Sequence, residues 1–168
     1  MSQMTLSSDK HPSELSNQEF FGNEDPDIAY SRVWLYILKS QRKFYAQFAQ
    51  ALKKEGLGDP MWYEILFEIA QTGDKGKLMG EIEHKLMIPQ YTISRQVGRM
   101  EQAGLIYREF IADGRRKQLL FLTELGAQRQ EEVWPIYLET LKAEMGPLLN
   151  TDEAYDLARF LLRLLPNK

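Results

Sequence analysis

Residues 79–123 carry the strongest indications of the fold, and their sequence is MGEIEHKLMIPQYTISRQVGRMEQAGLIYREFIADGRRKQLLFLT. Its first half predicts two short helices, 79–86 and 90–103, which are separated by a break at Met87-Ile88-Pro89. Proline disfavours helical backbone at the residue before it, so the first helix must end there. Gly104 follows the second helix as the glycine that commonly ends one. Two helices joined by so short a turn predict a helix-turn-helix.

The second half of the stretch predicts a β-hairpin. Residues 105–111 and 117–122 are rich in branched and aromatic side chains, and residues 112–116 between them contain Asp113-Gly114. Asp-Gly between two strand-like segments is a strong hairpin signal. A helix-turn-helix followed by a two-stranded wing is a winged helix.

Helices are predicted on both sides of this unit. An apolar stripe predicts a first helix over 27–55, and Asp59-Pro60 begins a second helix that ends near residue 71. After the hairpin, Thr123 is a suitable N-cap for a helix that ends near residue 145, and a last helix ends near residue 165. The stripe of the first helix contains Val33, Ile37, Phe44, Phe48 and Leu52.

The predicted fold class is mainly α: a winged helix-turn-helix with a two-stranded β wing, flanked by N- and C-terminal dimerisation helices. Dimerisation is expected because the terminal helices have longer apolar stripes than a short winged helix can cover. We divide the chain into a polar N-terminal arm that is flexible or folds only against something else, an N-terminal dimerisation helix, a winged helix-turn-helix domain and C-terminal dimerisation helices. The respective ranges are 1–26, 27–58, 59–122 and 123–168.

Composition limits the function classes. The chain has 168 residues, of which 43% are hydrophobic and 27% charged, with a net charge of −3, which fits one globular domain or a fused pair. It contains no cysteine, so disulfides, thiolate metal sites and thiol redox switches are excluded. No apolar run reaches the roughly 18 residues that a membrane span needs, and no secretory signal is evident. The expectation is a cytoplasmic protein without membrane association.

Positive charge is concentrated in the middle of the chain. Residues 75–118 contain nine Lys and Arg against five Asp and Glu, whereas the remainder contains twelve against nineteen. A basic segment in an acidic protein indicates a local anionic partner. A solvated surface of mixed charge is the alternative explanation at this point.

The second helix of the helix-turn-helix has a polar outward face. Ile93, Val97 and Met100 are spaced for burial, whereas the opposite side has polar side chains and no acid before Glu101. Arg and Gln can bond base edges in the major groove, and Ser and Tyr can bond phosphates. An ordinary exposed polar helix is the alternative. The residues of the polar side are Gln90, Tyr91, Ser94, Arg95, Gly98 and Arg99.

These segments together resemble the MarR family of transcriptional regulators. The similar parts are residues 88–95 with 99–106, the wing segment 113–116, and the exit Leu-Thr-Glu-Leu-Gly at 122–126. The resemblance covers about residues 28–165 and implies a homodimer that binds a pseudo-palindromic DNA duplex. In many relatives a small aromatic or anionic effector binds near the dimer and DNA-binding regions. The DNA-contacting residues implied here are Gln90, Tyr91, Thr92, Ser94, Arg95, Arg99, Asp113, Arg115, Arg116 and Lys117.

Two departures from the family pattern affect these assignments. Gly98 stands where relatives often have Asp, which lowers helix propensity by up to about 1 kcal/mol. The wing is one residue longer than usual between Asp113 and Thr123. A bulge in the second strand would reconcile the spacing, and either Arg115 or Arg116 then occupies the family's arginine position.

Other sites have weaker support. An aromatic set on the first two helices is interpreted as core packing, with an effector pocket as the alternative; its members are Tyr30, Trp34, Trp62, Tyr63 and Phe67. Glu81 and His84 share one helical turn, but without a second such pair we interpret them as a solvated helix face and expect no metal or cofactor. No phosphate loop or catalytic constellation is present, so no enzyme is expected. The alternative function is a winged-helix protein–protein interaction module that does not bind DNA.

Overall fold

The computed structural model describes residues 14–111 and 117–166. The chain divides into two compact units, residues 1–43 and 44–168, and each is described by itself. The elements, in chain order, are α1 (Asn17–Phe21), α2 (Pro26–Lys54), α3 (Pro60–Ala70), a 3-10 turn (Gly73–Lys75), β1 (Lys77–Leu78), α4 (Met79–Leu86), α5 (Gln90–Gln102), β2 (Ile106–Ile111), β3 (Lys117–Leu122), α6 (Glu124–Met145) and α7 (Thr151–Leu162).

The predicted winged helix is confirmed, with one correction to its sheet. The helix-turn-helix is α4–α5, and the wing is β2 and β3. The sheet has three antiparallel strands in the order β1-β3-β2 rather than two, because Lys77 and Leu78 pair with Leu120 and Leu119. A two-residue strand is too short for alternation to reveal it in the sequence, and only its pairing with β3 defines it.

The predicted bulge in the second wing strand is wrong for the residues that the structure describes. β2 and β3 pair one-to-one without interruption, from Ile106 with Leu122 to Ile111 with Lys117. A bulge would place two residues of one strand opposite one residue of the other. The longer wing is therefore not accommodated between Lys117 and Leu122.

The core of the second unit lies among α3, α4, α5 and the sheet. Leu52 at the end of α2 and Val133 of α6 complete it. Ile93, Val97 and Met100 are fully buried, as the helical spacing predicts. Other fully buried apolar side chains are Leu52, Ile65, Leu66, Ile69, Ile82, Ile106 and Leu120.

The start of α6 is fixed against the end of the helix-turn-helix by Thr123 and Gly126. The backbone N–H of Thr123 donates to the Leu105 carbonyl at 3.1 Å, and its hydroxyl donates to the Gly104 carbonyl at 2.6 Å. The same hydroxyl accepts from the Gly126 N–H at 3.0 Å, which caps α6. A β-carbon on Gly126 would lie 1.9 Å from the Leu105 oxygen, so the two backbones can approach this closely only at a glycine.

The first unit contains a short helix that the sequence analysis did not identify. The sequence predicts a polar arm over residues 1–26, yet α1 lies within that range and begins with a reciprocal capping box between Ser16 and Glu19. The guanidinium of Arg32 lies 4.9 Å from the centroid of the Phe21 ring and donates to the Phe21 carbonyl at 3.4 Å. The Ser-x-x-Glu spacing is the signal that would have revealed this helix.

Candidate nucleic-acid interface

The turn between α4 and α5 positions the second helix. Met87 ends α4 in the left-handed conformation, with φ of 55°, and its N–H bonds the Glu83 carbonyl. The Ile88 N–H bonds the same carbonyl at 3.3 Å. Pro89 then begins α5 as its N-cap, and the N–H groups of Thr92 and Ile93 bond its carbonyl. The chain thus passes from α4 to α5 through a turn of three residues, 87–89.

The outward face of α5 is polar, as predicted. Tyr91 is 74% exposed, and Gln90, Ser94, Arg95 and Arg99 are also exposed, whereas Thr92 and Gly98 are half-buried. No acidic side chain lies on α5 before Glu101. The structure therefore brings five of the predicted contact residues together on one open helix face.

The two arginines of this face are available for a ligand. Within the described parts of the chain, the guanidinium groups of Arg95 and Arg99 form no side-chain hydrogen bond and no ion pair. They are one helical turn apart on an exposed surface. Two unpaired guanidinium groups one turn apart on an exposed helix face create a positive potential that attracts phosphate.

Of the contact residues predicted on the wing, only Lys117 lies among the described residues. Lys117 is exposed at the start of β3, and the predicted contacts Asp113, Arg115 and Arg116 lie outside the described residues. Arg108 of β2 joins the wing to α5, since its guanidinium is 2.7 Å from the Glu101 carboxylate.

Sequence reasoning missed one side chain that positions α5. Gln96 is 6% exposed and accepts a hydrogen bond from the indole N–H of Trp62 at 3.0 Å. Trp62 lies on α3, so this bond joins α3 to the centre of α5. A glutamine flanked by Arg95 and Val97 has no periodicity signal beyond its place near the apolar stripe, and its partner is 34 residues away.

Comparisons with known proteins agree with this geometry. Residues 56–117 match the family model described as MarR family. AbsC, a MarR family transcriptional regulator from Streptomyces coelicolor, is 26% identical with a TM-score of 0.68, over 80% of this chain and 90% of that one.

Over residues 56–117, the chain is thus similar to the MarR family.

Two further MarR-like structures share the fold. A mutant E. coli MarR in complex with operator DNA has a TM-score of 0.72 at 20% identity, over 85% of this chain and all of that one. An organohalide-sensing regulator in its 2,4-dichlorophenol-bound form has a TM-score of 0.70 at 19% identity, over 86% of this chain and 85% of that one. No functionally curated protein matches the sequence. MarR-family proteins are transcriptional regulators rather than enzymes.

The described ranges, 14–111 and 117–166, contain neither a cluster of metal ligands nor a membrane-spanning helix. No group of three or more His, Asp or Glu side chains there could hold a metal ion. No helix there is both long and apolar enough to cross a membrane.

The aromatic residues that the sequence suggested for core packing or an effector pocket do not form one cluster. Tyr63 is buried in the core of the second unit, whereas Phe67 is 41% exposed. Tyr30 and Trp34 belong to the first unit and are 73% and 63% exposed. Core packing is therefore the wrong interpretation for these three exposed rings.

A cavity of about 380 Å³, here called the α3–α6 cavity, contains two members of the set. Tyr63 and Phe67 line it on the α3 side, together with Glu64 and Glu68. Trp134 and Tyr137 line it on the α6 side, and Phe48, Leu86, Gln130 and Val133 complete it.

Proposed function

We propose that this protein is a DNA-binding transcriptional regulator, a repressor, that acts as a homodimer on a pseudo-palindromic operator. The observation that supports this proposal is the open, acid-free face of α5 with unpaired Arg95 and Arg99 in a MarR-like winged helix. Such a helix fits the major groove, which is wide enough to admit it. Gln90, Tyr91 and Arg95 are the proposed base-proximal residues, because they lie in the first two turns.

The remaining proposed contacts hold the backbone. We assign phosphate contacts beside the groove to Thr92, Ser94 and Arg99, and Lys117 lies at the loop end of the wing. Asp113, Arg115 and Arg116 of the wing segment are proposed from the resemblance alone, for phosphate or minor-groove contact.

Exposed apolar surface supports the homodimer. α7 has no buried residue, and Phe160, Leu162 and Leu164 are between 62% and 68% exposed. Within the first unit, Val33 and Trp34 of α2 are at least half exposed. Patches of this extent seldom stay in contact with water on a stable monomer. A second copy of the chain is the proposed cover, and a two-fold dimer would space two α5 helices about one DNA turn apart.

An effector is the proposed means of release from DNA. The α3–α6 cavity is large enough for a small aromatic molecule. One wall of this cavity is α3, the helix that is hydrogen-bonded to α5 through Trp62 and Gln96. A ligand that shifts α3 would therefore act on the position of α5.

The test is a salt titration of duplex binding. Arg95→Ala should weaken binding to a selected operator by about 1–3 kcal/mol and relax preference at one base position per half-site. Lys142→Ala on α6 is the matched control, since it removes an exposed cation away from α5. Equal losses for the two variants, or equal losses on operator and scrambled duplex for Arg95→Ala, would contradict the proposed role of α5.

A protein–protein interaction module is the second candidate, since the same exposed face could bind an acidic protein surface. Retention of the purified chain on random duplex DNA, with release by moderate salt, distinguishes the two candidates. A monomeric mass by light scattering at micromolar concentration would contradict the homodimer.

A further inference from the structure

The α3–α6 cavity has a nearly continuous aromatic lining. The ring centroids of Phe67 and Trp134 are 6.2 Å apart with the planes at 13°, and those of Trp134 and Tyr137 are 5.7 Å apart at 26°. Phe48 extends the row, edge-on to Tyr137 at 5.4 Å. Rows of aromatic rings favour a flat apolar group, and they also attract cations through the negative potential of their faces.

The charged groups of the lining are both acidic. Glu64 and Glu68 face the cavity from α3, and no Lys, Arg or His is among its lining residues. Glu68 is 6% exposed, and the Lys77 ammonium lies 3.8 Å from its carboxylate, which offsets one of the two negative charges. Among the described residues, no cation comes within ion-pair distance of Glu64.

The surroundings of Glu64 already disfavour its negative charge. Although Glu64 is exposed to solvent over part of its surface, desolvation of its carboxyl group, followed by the neighbouring Asp59 carboxylate, raises its pKa above the ordinary value. An anionic ligand in the same cavity would add a second uncompensated negative charge and remove more water from the carboxylate. A cationic ligand would instead provide a counter-charge for Glu64, which none of the described side chains provides.

We propose that the α3–α6 cavity binds a small aromatic cation, such as an aromatic quaternary ammonium or protonated amine, and discriminates against aromatic carboxylates. The inference deepens the proposed function, because it names the chemical class of the effector. It also departs from the resemblance, which allows anionic effectors. The aromatic row holds the ring system, and the Glu64 and Glu68 carboxylates hold the cationic group.

The test compares two probes of similar size and opposite charge, (2-naphthylmethyl)trimethylammonium and 2-naphthylacetate. Isothermal titration calorimetry on the full chain without DNA measures each dissociation constant. We expect the cation to bind at least tenfold more tightly than the carboxylate. Equal or tighter binding of the carboxylate, or no binding of either probe, overturns the proposal.

Substitutions of lining residues test whether the preference for the cationic probe arises in this cavity. Glu64→Gln and Glu68→Gln, singly and together, should lower the cation-to-anion affinity ratio, because each removes a negative charge while keeping the side-chain shape. Trp134→Leu should weaken binding of the cation, since it removes the central ring of the row. Glu131→Gln is the matched control: this exposed acid is on α6 but does not line the cavity, so the ratio should not change.

An unchanged ratio in the Glu64→Gln, Glu68→Gln double variant overturns the assignment to this cavity. Denaturant unfolding of each variant confirms that it is folded before the ratio is interpreted. Duplex binding by the same preparations is measured separately. If the wild type binds duplex DNA but does not prefer the cationic probe, only the proposed effector class is refuted. If the wild type does not bind duplex DNA, the proposed function itself is refuted.

Discussion

Replacing Gly126 by Ala tests how the first turn of α6 is fixed against the end of the helix-turn-helix. The new β-carbon would lie 1.9 Å from the Leu105 oxygen and 2.9 Å from its carbonyl carbon. Real β-carbons essentially never come closer than 3.0 Å to such an atom. The two backbones must therefore separate by at least about 1.1 Å, the difference between 3.0 and 1.9 Å.

The expected cost is worked from the bonds that this separation breaks. The Thr123 N–H bond to Leu105 and the Thr123 hydroxyl bond to Gly104, at 3.1 and 2.6 Å, lie at the same junction. Losing each costs about 1 kcal/mol, and overpacking adds about 1–3 kcal/mol. Gly126→Ala should therefore lower the free energy of unfolding by about 3–5 kcal/mol, a large part of the roughly 5–15 kcal/mol of a typical domain.

Urea unfolding followed by far-ultraviolet circular dichroism measures this loss at one fixed protomer concentration. Gly98→Ala is the matched control in α5. Its β-carbon would lie 4.0 Å from the Arg108 guanidinium, an ordinary contact, so the variant should gain about 0.5–1 kcal/mol from helix propensity. A loss below about 1 kcal/mol for Gly126→Ala would refute the steric reasoning, since no smaller adjustment relieves a clash with backbone.

Further predictions concern DNA, the α3–α5 bond and pH. Arg116→Ala should weaken operator and scrambled duplex alike and lower the salt slope by about one per lost contact, whereas a base-pair-specific loss would contradict a backbone role for the wing. Gln96→Leu should cost about 1–3 kcal/mol of stability by leaving the Trp62 N–H unpaired, measured by urea unfolding; an unchanged midpoint would show that the bond is dispensable. Because the pKa of Glu64 is raised in the folded state, the folded state binds more protons between the ordinary and raised values, and stability falls as pH rises through that window. Glu64→Gln should therefore be more stable than the wild type at pH 7, and this advantage should disappear below about pH 4; an advantage that persists in acid would contradict the assignment. With no cysteine in the chain, thiol oxidants should leave duplex affinity unchanged in a mobility-shift titration, and a dithiol-reversible loss would contradict this.

Much of the fold follows from short-range patterns. Ile93, Val97 and Met100 are fully buried because their spacing places them on one side of any helix. Pro89 and Gly104 mark the ends of that helix, since proline and glycine restrict the local backbone whatever surrounds it. The polar face of α5 follows from the same periodicity, so five candidate contact residues could be found before the structure was known.

Patterns that depend on distant partners were not predictable in this way. The pairing of Lys77 with Leu120 makes a third strand, yet two residues are too few for alternation to indicate one. The burial of Gln96 depends on Trp62, which lies on a different helix. The regular ladder between β2 and β3 likewise shows that family spacing alone does not locate a bulge.

Short-range patterns account for the winged helix and the polar face of α5, because periodicity, helix ends and the hairpin turn act over a few residues. The cavity that Glu64 and Glu68 share with Trp134 and Tyr137 depends instead on how distant helices pack. These residues lie about 70 positions apart in the chain and meet only because α3 packs against α6. The side chains at such a contact depend on how two helix surfaces interlock, a property of packing rather than of either helix alone.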